Sequence, residues 1–104
     1  MTRTTSPDVF RALAEPVRRR LLERLVARPA SAGELSRRLG IPRVNVSHHL
    51  GVLAAAGLVE LRQRQAAVRP AALLPVRRYF DEALARAAIT LSESANPVAP
   101  QARR

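Results

Sequence analysis

The chain has 104 residues, enough for one compact domain, and its 18 basic residues, all of them arginine, outnumber the 8 acidic ones. The net charge of +10 favours a polyanionic partner, most often nucleic acid, although a solvated charged surface would explain the charge equally well. The chain has no cysteine, which excludes disulfides, thiolate metal ligands and thiol redox sensing.

The first part of the chain predicts a flexible arm and two helices. Residues 1–6 are polar and lack the apolar core of a signal peptide. Pro7 and Asp8 suit a first helical turn, and this helix is expected to run to about Glu15. The second helix, Val17–Ala27, carries leucines and valines at helical spacing. Since no apolar run is long enough to cross a membrane, we expect a soluble cytoplasmic protein without a membrane partner.

The next segment has the layout of a helix-turn-helix. Ser31 is suited to be an N-cap, and Glu34 three residues later completes a capping box. The third helix is predicted over Ala32–Leu39, with Gly40 as its C-terminal cap. A fourth helix, residues 42–56, opens with a proline and ends before a glycine.

A short hairpin and a last helix complete the predicted domain. Leu58–Arg64 has strand character, and Val68–Arg69 is predicted to return as a second strand. The last helix is expected over Val76–Ser92. We therefore predict a mainly α fold with a small β-hairpin, a winged helix-turn-helix of about five helices, in one domain at residues 7–93. Residues 94–104 are predicted to form a disordered basic tail.

The fourth helix has two distinct faces when it is projected at about 100° per residue. Val46, Leu50 and Leu53 form one apolar stripe, which is expected to be buried. The other face carries side chains that can contact base edges or phosphates: Arg43, Val44, Asn45, Ser47 and His48. An outward valine is unusual on a solvated face but suits a thymine methyl group. The competing interpretation is an amphipathic helix with an ordinary polar face.

Two segments resemble motifs of the ArsR/SmtB family of bacterial winged-helix repressors. Residues 10–25 resemble its opening pattern F-x-A-L-x-D-P-x-R-x-x-I-L-x-x-L, and residues 46–59 resemble its pattern V-S-x-H-L-x-x-L-x-x-A-G-L-V. The two motifs lie at the expected separation, and the resemblance covers about residues 9–80. It implies a homodimer that binds an imperfect inverted repeat in promoter DNA, and many members release DNA when an effector binds.

The resemblance also implies roles for single residues. It places several side chains of the fourth helix in the base-contacting region: Arg43, Asn45, Ser47 and His48. His49 matches the family's near-invariant histidine, and Ser31 is placed to touch a phosphate. The wing departs from the family, since it lacks the usual glycine-containing turn and returning aromatics. We expect a short wing whose Arg62, Arg64 and Arg69 contact phosphates, with a charged loop as the competing interpretation.

No metal or other cofactor site is recognisable in the sequence. The family's Cys-x-Cys pattern is absent from the third helix, and the last helix has acidic residues but no histidine. The adjacent His48 and His49 diverge by about 100° on a helix, which disfavours chelation of one ion. The effector therefore stays unknown, and a metal ion is retained only as an alternative.

The last helix carries an apolar stripe that predicts a dimer interface. This predicted interface combines its residues with two from the first helix: Phe10, Leu13, Val76, Phe80, Leu84, Ala87 and Leu91. An intramolecular core is the competing interpretation for each of these residues. The dimer prediction rests on the family resemblance and on the need to span two half-sites one helical turn apart.

The function predicted is a sequence-specific DNA-binding regulator, a homodimeric repressor acting through helix 42–56 and an arginine-rich wing. The alternative is a winged-helix module that relies on a separate protein partner for effector sensing. An RNA-binding domain is a third hypothesis, but 3% aromatic residues disfavours base stacking. We do not expect an enzyme, since Ser47 and His48 are neighbours on one helix and no phosphate loop or paired carboxylates occur.

Overall fold

Five α-helices, one turn of 3-10 helix and a two-stranded antiparallel hairpin make up the computed structural model, which describes residues 6–98. In chain order the elements are α1 (Ser6–Leu13), α2 (Pro16–Ala27), α3 (Ala32–Leu39), α4 (Arg43–Ala55), β1 (Val59–Arg62), β2 (Gln65–Val68), the 3-10 turn (Pro70–Leu73) and α5 (Leu74–Val98). The predicted fold class is confirmed. The chain divides into two units, residues up to 74 and residues from 75 on, which are described separately.

Predicted and observed boundaries agree within two residues for α2, α3 and α4, while the second strand differs. β2 is Gln65–Val68, not Val68–Arg69, because the hairpin closes through a two-residue turn directly after β1. The 3-10 turn was not predicted. It begins at Pro70, whose fixed φ suits a first helical position and whose missing N–H would interrupt a strand.

The second unit consists of α5, which is longer than predicted at both ends. Its backbone is helical through Val98, five residues into the predicted disordered tail. Ser94 and Ala95 do not interrupt a helix, and the prolines that marked the tail begin only at Pro97. The rest of that tail, residues 99–104, and residues 1–5 of the predicted arm lie outside the described residues. Within residues 6–98, no helix combines the length and apolar character that crossing a bilayer requires.

The core of the first unit is built from leucines and valines spaced three or four residues apart. Val46 and Leu53 of α4 are fully buried and Leu50 is nearly so, as the helical projection predicted. They share this core with residues from every neighbouring element: Val9, Ala12, Leu21, Leu22, Leu25, Leu35, Leu58 and Val59. Burying each large side chain contributes about 1.5–3 kcal/mol, so this core fixes α4 in the unit.

The hairpin is a tight antiparallel pair whose base joins the core through Val59 and whose second strand is hydrogen-bonded to the loop before α3. Its register pairs Val59 with Val68 and Arg62 with Gln65, which leaves a two-residue turn. The inner residue Ala66 is buried and exchanges two backbone hydrogen bonds with Ala30, at 3.1 and 2.8 Å. The hairpin is therefore tied at β2 to the loop before α3, and its turn projects beyond this attachment.

Candidate nucleic-acid interface

The turn between α3 and α4 is fixed by hydrogen bonds to a single serine. Gly40 adopts the left-handed conformation, at φ 67°, which ends α3 as predicted. The Ser36 carbonyl accepts hydrogen bonds from the amides of Gly40 and Ile41, at 2.9 and 3.3 Å. The Ser36 hydroxyl donates to the Ile41 carbonyl at 2.5 Å. Ser36 was not predicted as a site residue, because a polar residue inside a helix gives no signal for a tertiary bond to the next turn.

Pro42 positions the start of α4. It is the N-cap of the helix, so α4 begins at Arg43, one residue after the predicted first helical position. Its carbonyl accepts hydrogen bonds from the amides of Asn45 and Val46, at 2.9 and 3.0 Å. α4 thus starts with a fixed direction relative to α3, because the Ser36 bonds and the Pro42 ring both restrict the connecting turn.

The face of α4 opposite the core is exposed and carries the predicted DNA-contacting side chains. All of the following are exposed: Arg43, Val44, Asn45, Ser47 and His48. Val44 is 73% exposed, although three other large apolar residues of the same helix are buried. The face presents a cation, an amide, a hydroxyl and an aliphatic group close to the N-terminus of the helix, which matches the donor, acceptor and methyl chemistry of a DNA major groove.

Ser31 caps α3 as predicted, but the capping box is only half formed. The Ser31 Oγ accepts a hydrogen bond from the Glu34 amide at 3.1 Å. The Glu34 carboxylate does not return this bond and instead pairs with Arg28, at 2.6 Å. The Ser31 hydroxyl can still donate its proton to a phosphate at this helix N-terminus, where the helix dipole favours negative charge.

Two arginines converge above the first turn of α3. A Cβ atom at Gly33 would lie 3.6 Å from Nη1 of Arg37 and 3.6 Å from the guanidinium carbon of Arg43. Neither guanidinium forms an ion pair with any residue in the described part of the chain. Two uncompensated cations beside a helix N-terminus can hold a phosphate. Arg37 was missed in the sequence, because only the fold brings it beside Arg43.

His49 lies apart from the exposed face of α4. It is half-buried, and its Nδ1 lies 3.3 Å from Nη1 of Arg18, so Nδ1 serves as the acceptor when the ring is neutral. Arg18 also donates to the carbonyls of Ala12 and Arg11, at 2.7 and 3.4 Å. His49 thereby contacts an arginine that ties α2 to the end of α1. Its predicted DNA contact stays a prediction, and the contact seen here is with protein.

The environment of His49 disfavours its charged form. Burial lowers the pKa of His49, and the charges of Arg18 and His48 lower it further, while Glu15 opposes the shift. The rings of His48 and His49 touch edge to face, with centroids 5.4 Å apart. Among the described residues no three His, Cys, Asp or Glu side chains cluster as metal ligands would.

The three predicted wing arginines occupy different environments. Arg62 pairs with Glu60 at 2.6 Å on the same strand, which offsets its charge. Arg64 lies in the turn and forms no ion pair with the described residues. Arg69 follows β2 at the base of the hairpin, roughly 13 Å from the turn at about 3.3 Å per strand residue. Arg64 is therefore the wing arginine best placed to reach beyond the domain.

The turn of the wing holds two residues in a conformation that normally selects glycine or asparagine. Gln63 and Arg64 have φ values of 52° and 69°, the pattern of a type I′ turn. The sequence suggested a departure from the family because no glycine occurs here. The structure shows that the tight turn forms nevertheless, with both side chains carried in the left-handed region.

The predicted dimer residues lie in both units. Phe10 and Leu13 are half-buried in α1, and Val76 is half-buried in α5. The remaining α5 residues of the predicted stripe are exposed: Phe80, Leu84, Ala87 and Leu91. Leu84 and Leu91 are 70% and 69% exposed, which is unusual for large apolar side chains on one helix.

Comparison with known proteins agrees with this geometry. A family model described as a helix-turn-helix domain matches residues 13–62, from the end of α1 through the hairpin's first strand. The chain is 47% identical over 60 residues to the HTH-type transcriptional regulator Rv2034 of Mycobacterium tuberculosis, covering 57% of this chain and 56% of that protein. It is 33% identical over 52 residues to the transcriptional repressor SdpR of Bacillus subtilis, covering 50% of this chain and 58% of that protein.

A solved structure extends the similarity beyond the matched segments. An ArsR-like transcriptional regulator from Rhodococcus sp. RHA1 superposes with a TM-score of 0.71 at 27% identity, covering 88% of this chain and 91% of that chain. The chain spans about half the length of the curated relatives it matches.

The tight turn between α3 and α4, followed by a hairpin, defines the winged helix-turn-helix class of proteins. Within that class, the chain is similar to transcriptional regulators of the ArsR type, which agrees with the family predicted from its motifs. The relatives it matches are named as transcriptional regulators, which agrees with the prediction that the chain is not an enzyme.

Proposed function

We propose that the protein is a homodimeric transcriptional repressor that binds an inverted-repeat operator in promoter DNA. The exposed face of α4 is the observation that carries the proposal. Val44 is 73% exposed beside exposed Asn45 and Arg43, while the other side of the same helix is fixed in the core. Exposing the apolar side chain of Val44 to water is unfavourable, whereas packing it against a thymine methyl group is favourable, and the polar neighbours can hydrogen-bond to base edges.

Cationic groups around α4 supply the contacts to the DNA backbone. Arg37 and Arg43 converge at the start of α3, and Ser31 caps the same helix end. On the other side of the face, Ser47 and Arg64 line one cleft, which brings the wing turn beside α4. Phosphate contacts on both sides would set the position of the helix in the groove, and the net charge of +10 would attract the duplex from a distance.

The dimer is supported by the exposed apolar stripe of α5. Leu84 and Leu91 lie on one side of this helix and expose most of their surface. A second copy of the chain would bury them and would place two α4 helices on one duplex, as an inverted repeat requires. That SdpR is a repressor supports repression as the mode of regulation.

The test is a titration of the protein's own promoter region against a random duplex of equal length. We expect tighter binding to the promoter duplex, with an affinity that falls on the order of 10³-fold between about 50 and 200 mM salt. Equal affinity for both duplexes would contradict sequence-specific regulation. Running the titration with and without divalent metals also tests whether a metal acts as effector.

The dimer is tested separately by sedimentation of two α5 variants. Leu84→Glu places a charge in the apolar stripe and should give a monomer with much weaker operator binding. Ala85→Glu places the same charge about 100° around the helix and should leave the dimer intact. If both variants sediment like the wild type, the α5 stripe is not the interface.

A further inference from the structure

A cleft of about 190 Å³ separates α4 from the hairpin. Its walls are mainly apolar and are formed by Ala32, Leu50, Leu61 and Ala66. Leu61 lies on the outer part of β1, is 52% exposed and adds an accessible apolar surface to the cleft. The apolar contacts of the cleft therefore remain incomplete in the protein alone.

Three polar residues also line the cleft: Ser47, Arg64 and Gln65 of β2. Ser47 projects from the exposed face of α4, and Arg64 comes from the wing turn. The Arg64 guanidinium forms no ion pair with the described residues, whereas its neighbour Arg62 is paired with Glu60. A guanidinium and a hydroxyl beside an apolar wall fit an anion with two oxygens attached to an apolar body.

The volume limits the size of that body. An apolar cavity of about 150 Å³ accommodates benzene, so a cleft of about 190 Å³ holds one ring with a small substituent. Larger ligands would need pockets of roughly 300 Å³ or more. Size and charge together select a small monocyclic carboxylate.

We propose that this cleft is a ligand site for a small carboxylic acid with a single apolar ring, and that the bound acid competes with DNA. The competition rests on the proposed function, because Ser47 and Arg64 are the residues proposed there to flank the duplex. A carboxylate on Arg64 would neutralise the cation that attracts a phosphate, and the ring would fill the space between α4 and the wing.

Binding is tested first without DNA, with benzoate as the probe and methyl NMR as the readout. Benzoate should shift the methyl signals of Leu61 and Ala66 with a Kd on the order of 1 mM, as expected for so small a ligand. Benzamide, which has the ring without the charge, and acetate, which has the charge without the ring, should both bind more weakly. No shift at these methyls, or equal shifts with acetate, would overturn the ligand site.

A matched pair of wing variants tests the role of the cation. Arg64→Gln should weaken benzoate binding about 10-fold, because a charge-assisted hydrogen bond to the carboxylate is lost. Arg62→Gln removes the same charge from the neighbouring strand outside the cleft and should leave benzoate binding unchanged. An equal loss in both variants would show attraction by net charge instead of a site.

Competition is then measured by the anisotropy of a labelled promoter duplex. Benzoate at about ten times its Kd should raise the midpoint of DNA binding roughly 10-fold relative to acetate at the same ionic strength. An unchanged midpoint, with the methyl shifts present, would overturn the competition. If the duplex fails to bind in the absence of any acid, the proposed function fails, and the methyl shifts still decide whether the cleft binds a carboxylate.

Discussion

Helix α4 and the wing both face the proposed duplex, but the fold holds them in different ways. α4 has three buried apolar residues, and its start is fixed by Ser36 and Pro42. The wing has strands of four residues that are buried at Val59 and Ala66 but exposed at the residues next to the turn. Base edges carry the sequence information, whereas phosphate contacts position the protein without reading the sequence. The buried and fixed helix α4 is therefore suited to sequence recognition, and the exposed end of the wing to backbone contact.

The largest expected effect contrasts two leucines. Leu53→Ala, in the buried stripe of α4, should lower the free energy of unfolding by about 2–5 kcal/mol, because it removes core contacts and leaves a cavity. Leu61→Ala, on the half-exposed surface of the wing, should cost less than about 1 kcal/mol. Urea denaturation of both variants measures the difference. Similar losses would mean that the wing is as firmly packed as the helix.

A second contrast separates recognition of bases from contact with phosphates. Asn45→Ala should weaken binding to the promoter duplex by about 1–3 kcal/mol and leave binding to random DNA nearly unchanged. Arg64→Gln should weaken binding to both duplexes alike. It should also reduce the slope of log affinity against log salt concentration by about one, as expected for the loss of one phosphate contact. Titrations of both variants on both duplexes distinguish loss of base recognition from loss of a phosphate contact. A uniform loss for Asn45→Ala would remove α4 as the base-reading element.

A third prediction concerns the turn of the wing. Replacing one left-handed non-glycine residue by glycine removes a conformational cost of about 1–2 kcal/mol. This gain exceeds the stability that glycine loses through the greater entropy of the unfolded chain, about 0.4–1 kcal/mol. Gln63→Gly should therefore stabilise the protein by up to about 1 kcal/mol without changing DNA affinity. Gln65→Gly, in the extended strand β2, should destabilise it. Thermal melts of the pair test this, and a loss of stability in both variants would argue against strain in the turn.

The smallest expected effect is a dependence of thermal stability on pH, which arises from His49 at the contact between α4 and α2. The pKa of His49 lies below its ordinary value of 6.5 in the folded protein. The unfolded chain therefore takes up the proton first as the pH falls, so the contribution of neutral His49 is complete above pH ~6.5 and declines below it. His49→Gln should flatten the decline in melting temperature between about pH 7 and 5. A slope that His49→Gln leaves unchanged would contradict this assignment.

The same two regions differ in how far the sequence predicted them. The buried stripe of α4 follows from helical periodicity, because its burial depends only on residues three and four positions apart. The boundaries of α3 follow from Ser31 and Gly40, whose capping roles are local. These signals were sufficient to place the exposed face of α4, with Val44 at its centre.

The features that the sequence did not predict depend on residues that meet only in the fold. Arg37 and Arg43 belong to different helices and meet over Gly33. Arg18 lies on α2, and its side chain bonds a carbonyl of α1 and contacts His49 of α4. The start of β2 was predicted three residues too late in the sequence, because a type I′ turn without glycine or asparagine carries no sequence signal.

The pair of hydrogen bonds between Ala30 and Ala66 has a consequence for solubility. An isolated hairpin has two open edges, and each is a template onto which another chain can add as a strand. On the β2 side, the loop residue Ala30 already occupies the backbone groups of Ala66. On the β1 side, Glu60 and Arg62 place opposite charges along the edge. A module that must project a short hairpin toward its target is thereby protected against edge-to-edge aggregation.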